Sequence, residues 1–494
     1  MRGNHSYKQR PVYGRGAALY RAASVALIAF ALSAVVASAQ TPTYVSHDLS
    51  PYLAIGNLVD PPKKDDKNGN GDKNGDDNGK KKDDEPTCIS VHGQATFVTQ
   101  GNFPFRSPYQ GTNSFVWSHN LATSVTATLF LGARIWDGGE IFFNPELAGG
   151  QGLSGVFGIA DFPNSEITRV GVVQPTPYIA RLFFRQTFGL GGEQEKIEDG
   201  PNAIAGYRDV NRITIALGKM PATDQFDLNR YTGDSRTRFL NWGMFYNVAW
   251  DYPANVRGYD YGISIEYNTK EWAIRYGVYA EAAVANGFNF DPHILNANGH
   301  ILEFERRYQW NEQPGVIRLG PYMNLANMGN YREALALMPV NPDITATRQY
   351  RIKYGFLFNW EQQLSKECGV FARAGWNDGR TETWAYTEAD ATGSLGVVFK
   401  GKHWNRPQDE VGFAYVLSGL SPPHRDYLAA GGLGFELGDG KLNYGLENVF
   451  ETYYNCELRK GMNLTFDYQL VNNPAYNKDR GPISLLAVRL HFEY

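Results

Sequence analysis

Eight polar or charged side chains in the sequence lie at alternating positions among apolar neighbours, where they could face one aqueous compartment. They are Arg134, Glu140, Asn144, Glu146, Arg181, Arg185, Arg275 and Arg373. Guanidinium, carboxylate and amide groups form paired hydrogen bonds with neighbouring hydroxyls. Aromatic residues in the same stretches, such as Phe142 and Phe183, add flat apolar surfaces. This set suits polar, uncharged solutes, although the same charges could pair with one another and only stiffen a wall.

Catalytic motifs are not found in the sequence. Residues 152–155 read Gly-Leu-Ser-Gly and lack the spacing of a nucleophile elbow. Residues 396–402 resemble a phosphate-binding loop, but His403 stands where Ser or Thr is needed. The histidines form no HExxH motif or close pair suited to zinc. We therefore expect a protein that is not an enzyme and has no cofactor or metal centre.

The first 39 residues have the features of an export signal. A basic leader precedes the apolar run 22–36, and Ala37-Ser38-Ala39 offers the small residues that signal peptidase accepts. A single membrane anchor is the alternative, but the run is shorter than the ~20 residues that a spanning helix needs. We expect cleavage after Ala39.

Residues 40–86 form a separate N-terminal segment whose core, 63–85, contains no apolar residue. Such a stretch cannot bury enough surface to offset its ordering entropy, so we expect disorder. It contains a partial calcium-loop pattern at Asp66, Asn68, Asn70, Gly71 and Asp77. Position 12 of that pattern lacks the usual glutamate, and no flanking helices are apparent, so a solvated linker is favoured.

From residue 87 to residue 494 the dominant signal is alternation of apolar and polar residues, the mark of strands with two different faces. In the last strand Leu490 and Phe492 share one face while Arg489 and His491 share the other. Segments of about ten residues joined by turns indicate an all-β, transmembrane antiparallel barrel of about 16 strands with long extracellular loops. A soluble sandwich and a propeller fit less well, because the strands are long and no ~40-residue repeat is present.

The predicted connections alternate between short and long. Short connections, expected at the periplasmic end, are 137–139, 268–271, 311–315, 365–369 and 459–461. Long connections, expected outside the cell, are 147–177, 222–258, 282–298, 324–347 and 472–482. A barrel of this size with a polar interior is expected to hold water and conduct small solutes.

Charge narrows the choice of partners. The formal net charge is -4 and no long basic run exists, so nucleic acid is not an expected partner. Inward arginines and glutamates are mixed, and a lining of mixed sign favours neutral polar solutes over ions. The expected partners are carbohydrate solutes, outer-membrane lipid and the barrel-assembly machinery, which would recognise Phe492 and Tyr494. The sequence leaves open whether the chain forms a homo-oligomer.

Several segments between His92 and Tyr494 resemble, in the same order, the carbohydrate-selective porins of the OprB-like family. They include PYQGTNSF (108–115), FFNPELAGGQGLSGVFGIADFPNSEI (142–167), LNRYTGDSRTRFLNW (228–242), WDYPANVRGY (250–259), GWNDGRTE (375–382), YLAAGGLGFELGDG (427–440) and NPAYNKDRGP (473–482). The resemblance implies a sixteen-stranded outer-membrane barrel that passes glucose and related sugars. It also implies a constriction bearing Arg and Glu, formed partly by inward-folded outer loops, with Asn144 and Glu146 at its edge.

Two further functions remain open from the sequence alone. A general porin would have the same barrel without a preference for sugars. A structural barrel would tether the outer membrane to the cell wall through residues 40–86.

Overall fold

A computed structural model describes residues 88–150, 152–166, 174–385 and 388–494. The expected signal peptide, the charged segment and its calcium-loop pattern all lie outside the described residues. The strands are β1 (Ile89–Asn102), β2 (Asn120–Trp136), β3 (Gly139–Gly150), β4 (Thr176–Gly189), β5 (Gln194–Ile197), β6 (Gly206–Asp209), β7 (Arg212–Met220), β8 (Asp260–Asn268), β9 (Trp272–Ala280), β10 (Asn298–Trp310), β11 (Gln313–Met328), β12 (Gln349–Ser365), β13 (Cys368–Asn377), β14 (Ala391–Lys400), β15 (Glu410–Gly419), β16 (Glu447–Arg459), β17 (Met462–Asn472) and β18 (Ile483–Glu493). The described residues also contain three short α-helices, α1 (Trp242–Phe245), α2 (Tyr331–Leu337) and α3 (Pro422–Ala429).

Sixteen of these strands form one closed antiparallel barrel, and β5 and β6 form a separate small hairpin. Each barrel strand pairs with its neighbours in the chain, except that β4 pairs directly with β7. The barrel closes where β1 pairs with β18, with Ala95 opposite Phe492. Closure pairs every strand edge, which lipid requires because it offers the backbone no hydrogen bonds. The predicted sixteen-stranded barrel is confirmed.

The two faces of each strand differ as the alternation predicted. In β18, Leu486 is 50% exposed on the outside, whereas the neighbouring Leu485 is fully buried inside. Leu490 and Phe492 also point outward, and Phe492 meets Phe97 of β1 edge to face at 6.4 Å. Arg489 is buried on the inner side. The outer surface is therefore an apolar band suited to lipid, and the polar groups are enclosed.

Most connections follow the predicted alternation, but two periplasmic ones, 190–211 and 401–409, are longer than the short turns predicted for that end. Tight turns at 137–138, 269–271, 311–312, 366–367 and 460–461 lie at one end, which faces the periplasm in outer-membrane barrels. The five predicted long loops are present at the other end, with bounds shifted by a few residues. Three more outer connections, 103–119, 378–390 and 420–446, were not predicted as loops, and the last contains α3.

No helix within the described ranges is long and apolar enough to cross a membrane. Cys88, Cys368 and Cys456 are free thiols, so the barrel depends on strand pairing and not on disulfides. Among the described residues no group of three or more His, Cys, Asp or Glu side chains is arranged to hold a metal ion.

Candidate functional site

The connection between β7 and β8, residues 221–259, folds into the barrel, and we call it the lumen loop. None of its residues is exposed, and most are buried. Its aromatic side chains Phe226, Trp242 and Trp250 join one apolar cluster with Tyr279 and Tyr322 of the wall. Burial of such large rings is a strong stabilising contribution. The lumen of the barrel is therefore partly filled by a packed loop and is not an open tube.

Wall glutamates hold the lumen loop by its backbone. Glu303 accepts a hydrogen bond from Asp227 N at 2.8 Å, and Glu361 accepts one from Arg230 N at 2.5 Å. Glu451 accepts one from Leu240 N at 2.5 Å. An irregular buried segment must satisfy its N–H groups, and a carboxylate is a strong acceptor for that purpose.

Arg373 and Arg181 hold the same loop from opposite walls. Arg373 of β13 donates to Thr232 Oγ1 at 2.5 Å and to Met244 O at 2.9 Å, and it pairs with Asp227 at 3.2 Å. Arg181 of β4 forms a two-pronged pair with Asp224 at 2.6 and 2.7 Å. Both arginines face inward, as predicted, and in this structure their donors are taken up by the lumen loop.

Glu146 and Asn144 of β3 lie between the wall and the loops. Glu146 accepts hydrogen bonds from Thr128 and Tyr178 of the wall and from the Tyr259 hydroxyl at 3.0 Å. Asn144 is fully buried, and neither atom of its amide has a hydrogen-bond partner among the described residues. Both side chains face inward, so the predicted orientation is confirmed.

Arg275 belongs to a row of paired charges on the inner wall from β8 to β12. It contacts Glu266 at 2.6 Å, and Glu303 and Glu305 both at 2.9 Å. Arg318 continues the row, at 2.8 Å from Glu305. These groups are almost wholly buried. The sequence left open whether inward charges bind solute or pair with one another. In the structure Arg275 pairs with glutamates of the wall.

Arg134, Glu140 and Arg185 form a separate group of charges near the periplasmic turns. Glu140 lies between the two arginines, 2.7 Å from Arg185 Nη2 and 3.4 Å from Arg134 Nη2. The guanidinium of Arg185 also lies 4.6 Å from the centre of the Phe142 ring. These three side chains keep partial exposure, in contrast to Arg275 and Arg373. The eight predicted residues thus occupy several levels of the interior.

The interior carries further charges that the sequence did not identify. Arg236 of the lumen loop lies 3.1 Å from Glu166 and 3.4 Å from Glu146. Arg238 lies 3.1 Å from Glu410 of the wall. All of these belong to mixed-sign pairs with small but nonzero exposure. Arg236 and Arg238 lie in a loop without strand alternation, so periodicity gave no signal that this loop enters the barrel.

Comparison with known proteins agrees with this architecture. A family model described as "Carbohydrate-selective porin, OprB family" matches residues 112–494, which span β2 to β18. The putative porin QuiX of Acinetobacter baylyi is 22% identical over 328 residues, covering 58% of this chain and 67% of that protein. The high-pH structure of Pseudomonas putida OprB has a TM-score of 0.63 at 14% identity, covering 82% of this chain and 94% of that chain.

The structural likeness supports the fold, and the family model covers most of the chain. Together with the apolar outer band and the enclosed polar interior, they place the protein in the outer membrane as a porin. The chain belongs to the carbohydrate-selective porins of the OprB family.

Proposed function

We propose that the protein lets carbohydrates of glucose type, as monosaccharides and short oligosaccharides, diffuse passively and selectively through its Arg- and Glu-lined interior. The observation that carries this proposal is the mixed-sign pairing of the partly exposed interior charges. Arg236 with Glu166, Arg238 with Glu410 and Arg185 with Glu140 leave little net charge along the path. A neutral solute with many hydroxyls can hydrogen-bond to both members of such pairs. Ions of either sign gain no comparable advantage.

Sugar-dependent block of ion current tests the proposal. Purified protein in a planar bilayer is expected to lose conductance progressively as glucose or maltodextrin is added, because a bound sugar occupies the ion path. Liposome swelling with a panel of sugars and amino acids should favour the sugars. A channel whose current is insensitive to every sugar tested would instead be a general porin.

A matched pair of variants links the block to the interior pairs. Arg236→Gln removes a partly exposed charge from the lumen loop, and it is expected to weaken sugar block. Lys402→Gln is the control, because Lys402 is 69% exposed and pairs with Glu367 at the periplasmic rim. Equal block in both variants would remove Arg236 from the sugar path.

The remaining predicted roles are also proposals. A tether through residues 40–86 would begin at the periplasmic end, where Cys88 is bonded through its carbonyl to Arg134 N. Deletion of 63–85 that changed envelope stability and left sugar uptake intact would support the tether. Recognition by the barrel-assembly machinery is expected to use Phe492 and Tyr494, at the end of the closing strand. Homo-oligomer formation can be tested by mass measurement in detergent.

A further inference from the structure

The connection between β4 and β7, residues 190–211, is longer than its position requires, and we call it the periplasmic strap. β4 and β7 are hydrogen-bonded neighbours, with Gly189 directly opposite Arg212. A two-residue turn would join such a pair. Instead the strap contains the β5–β6 hairpin, and the residues between those two strands, 198–205, leave the sheet.

Residues 198–205 reach across the mouth of the barrel to β1. Asp199 lies 3.0 Å from His92 Nε2, and Ser90 Oγ lies 3.4 Å from Gly200 O. Ser90 and His92 belong to the inward-facing set of β1, which alternates with the exposed Ile89 and Val91. The strap therefore passes beneath β3 and β2 on the lumen side of the wall.

Two arginines hold this crossing by its carbonyl groups. Arg185 of β4 donates to Asn202 O at 3.1 Å. Arg134 of β2 donates to Ile204 O at 3.3 Å and to Ala205 O at 3.2 Å. Glu140 lies between the two guanidinium groups and offsets one of their two positive charges. The arrangement makes these three residues positioning residues for the strap.

The crossing is packed and internally bonded. Ile204 is 2% exposed and joins the apolar cluster that contains the stacked rings of Phe142 and Phe183. Gly200 and Ala203 exchange two backbone hydrogen bonds, at 3.1 and 2.9 Å, which close a tight turn. By contrast, residues 402–408, in the periplasmic connection between β14 and β15, are all exposed. Only the strap, of these two long connections, enters the outline of the barrel.

We propose that the periplasmic strap is an exit filter, a second selectivity element that narrows the periplasmic mouth beneath β1 to β4. It limits the size of solutes that leave the channel, and Asp199, whose side chain is 43% exposed, adds a negative charge at the exit. The effect of the strap on sugars rests on the proposed function. Its effect on ion conductance does not, so the exit filter and the proposed function can fail separately.

Shortening the strap tests the size limit. In one variant, residues 190–211 are replaced by an Asn-Gly turn. In the control variant, the exposed residues 402–408 are replaced by an Asn-Gly turn. Single-channel conductance is expected to rise by about 1.5-fold or more in the first variant, since the open cross-section of a pore sets its conductance. The ratio of maltotriose to glucose permeation in swelling assays should rise as well. Native conductance in a correctly folded strap variant would overturn the proposal.

A charge reversal tests the strap without altering its length, and it decides the question if the shortened variant does not fold. Asp199→Lys is expected to shift the reversal potential in a KCl gradient toward anion preference. Glu193→Lys is the control, because Glu193 is 63% exposed on the same connection and pairs with Lys270 at the rim. No difference between the two reversal potentials would place Asp199 outside the ion path. A native channel that passes ions but shows no sugar block would refute the proposed function and leave the exit filter standing.

Discussion

Replacing Arg373 with methionine should release the lumen loop while leaving the barrel closed. The side chain is 1% exposed, and its donors reach the Asp227 side chain and carbonyl, Thr232 Oγ1 and Met244 O at 2.5–3.2 Å. Methionine fills a similar volume and donates nothing, so Asp227 stays buried without its cation. Removal of one partner of a buried ion pair costs about 3–5 kcal/mol. At 1.4 kcal/mol per factor of ten, the docking equilibrium of the loop shifts by roughly 10²- to 4 × 10³-fold.

Trypsin offers a direct measurement, because the lumen loop contains Arg230, Arg236, Arg238 and Arg257. In the native protein these sites are enclosed, and the chain should resist cleavage there. Arg373→Met is expected to be cut within 221–259 while the heat-modifiable band of the intact barrel persists. Arg373→Lys, which keeps the charge but loses the guanidinium fork, should fall between the two.

Arg332→Met supplies the control for this experiment, since Arg332 is exposed on α2 in an outer loop. It is expected to leave both trypsin resistance and single-channel conductance unchanged. If Arg373→Met behaved in the same way, the reasoning that Arg373 anchors the loop would be refuted.

Three further predictions follow from the interior charges and the closing strand. The double variant Arg181→Ala/Arg185→Ala should weaken sugar block and move ion selectivity toward cations, because two inward positive charges are lost, one from Asp224 and one from Glu140; unchanged reversal potential and block would contradict this. Burial raises the pKa of Asp161, in an outer loop, from 3.8 to about 7. Its folded form binds the proton more tightly, so this stabilisation is present at acidic pH and is lost as pH rises from about 4 to about 7. The thermal transition should therefore fall between pH 5 and pH 8, and less so in Asp161→Asn; an equal fall in the variant would exclude Asp161. Phe492→Ala with Tyr494→Ala should lower the yield of assembled barrel in cells without changing the conductance of protein refolded in detergent, whereas undiminished yield would show that these rings are not the assembly signal.

The barrel could be predicted from sequence because its signal is local. In β18 the outward orientation of Leu486 and the inward orientation of Arg489 follow from a period of two. In β3 the same period places both Glu140 and Phe142 on the inner face. The outward or inward orientation of a side chain needs no knowledge of distant residues. For this reason the orientation of all eight predicted site residues was obtained correctly.

The contents of the barrel could not be predicted in the same way. Leu240 N meets Glu451 across 211 positions of sequence, and Arg134 meets Ile204 across 70. Such contacts have no periodicity, since an irregular loop satisfies its backbone wherever the wall offers an acceptor. The partners of Arg181 and Arg373 therefore could not be predicted from the sequence. The strap was missed because nothing in residues 190–211 distinguishes an inward crossing from an ordinary turn.

The pairing of β1 with β18 brings the two ends of the barrel domain together. Gly93 and Tyr494 exchange backbone hydrogen bonds at 3.0 and 2.9 Å. Because the strands form a closed ring, the same ring could be built by a chain that starts at a different strand. A peptide linker could join the present ends, and new ends could be opened in the exposed residues 402–408, giving a circular permutant with the same ring of strands and no unpaired edge in lipid.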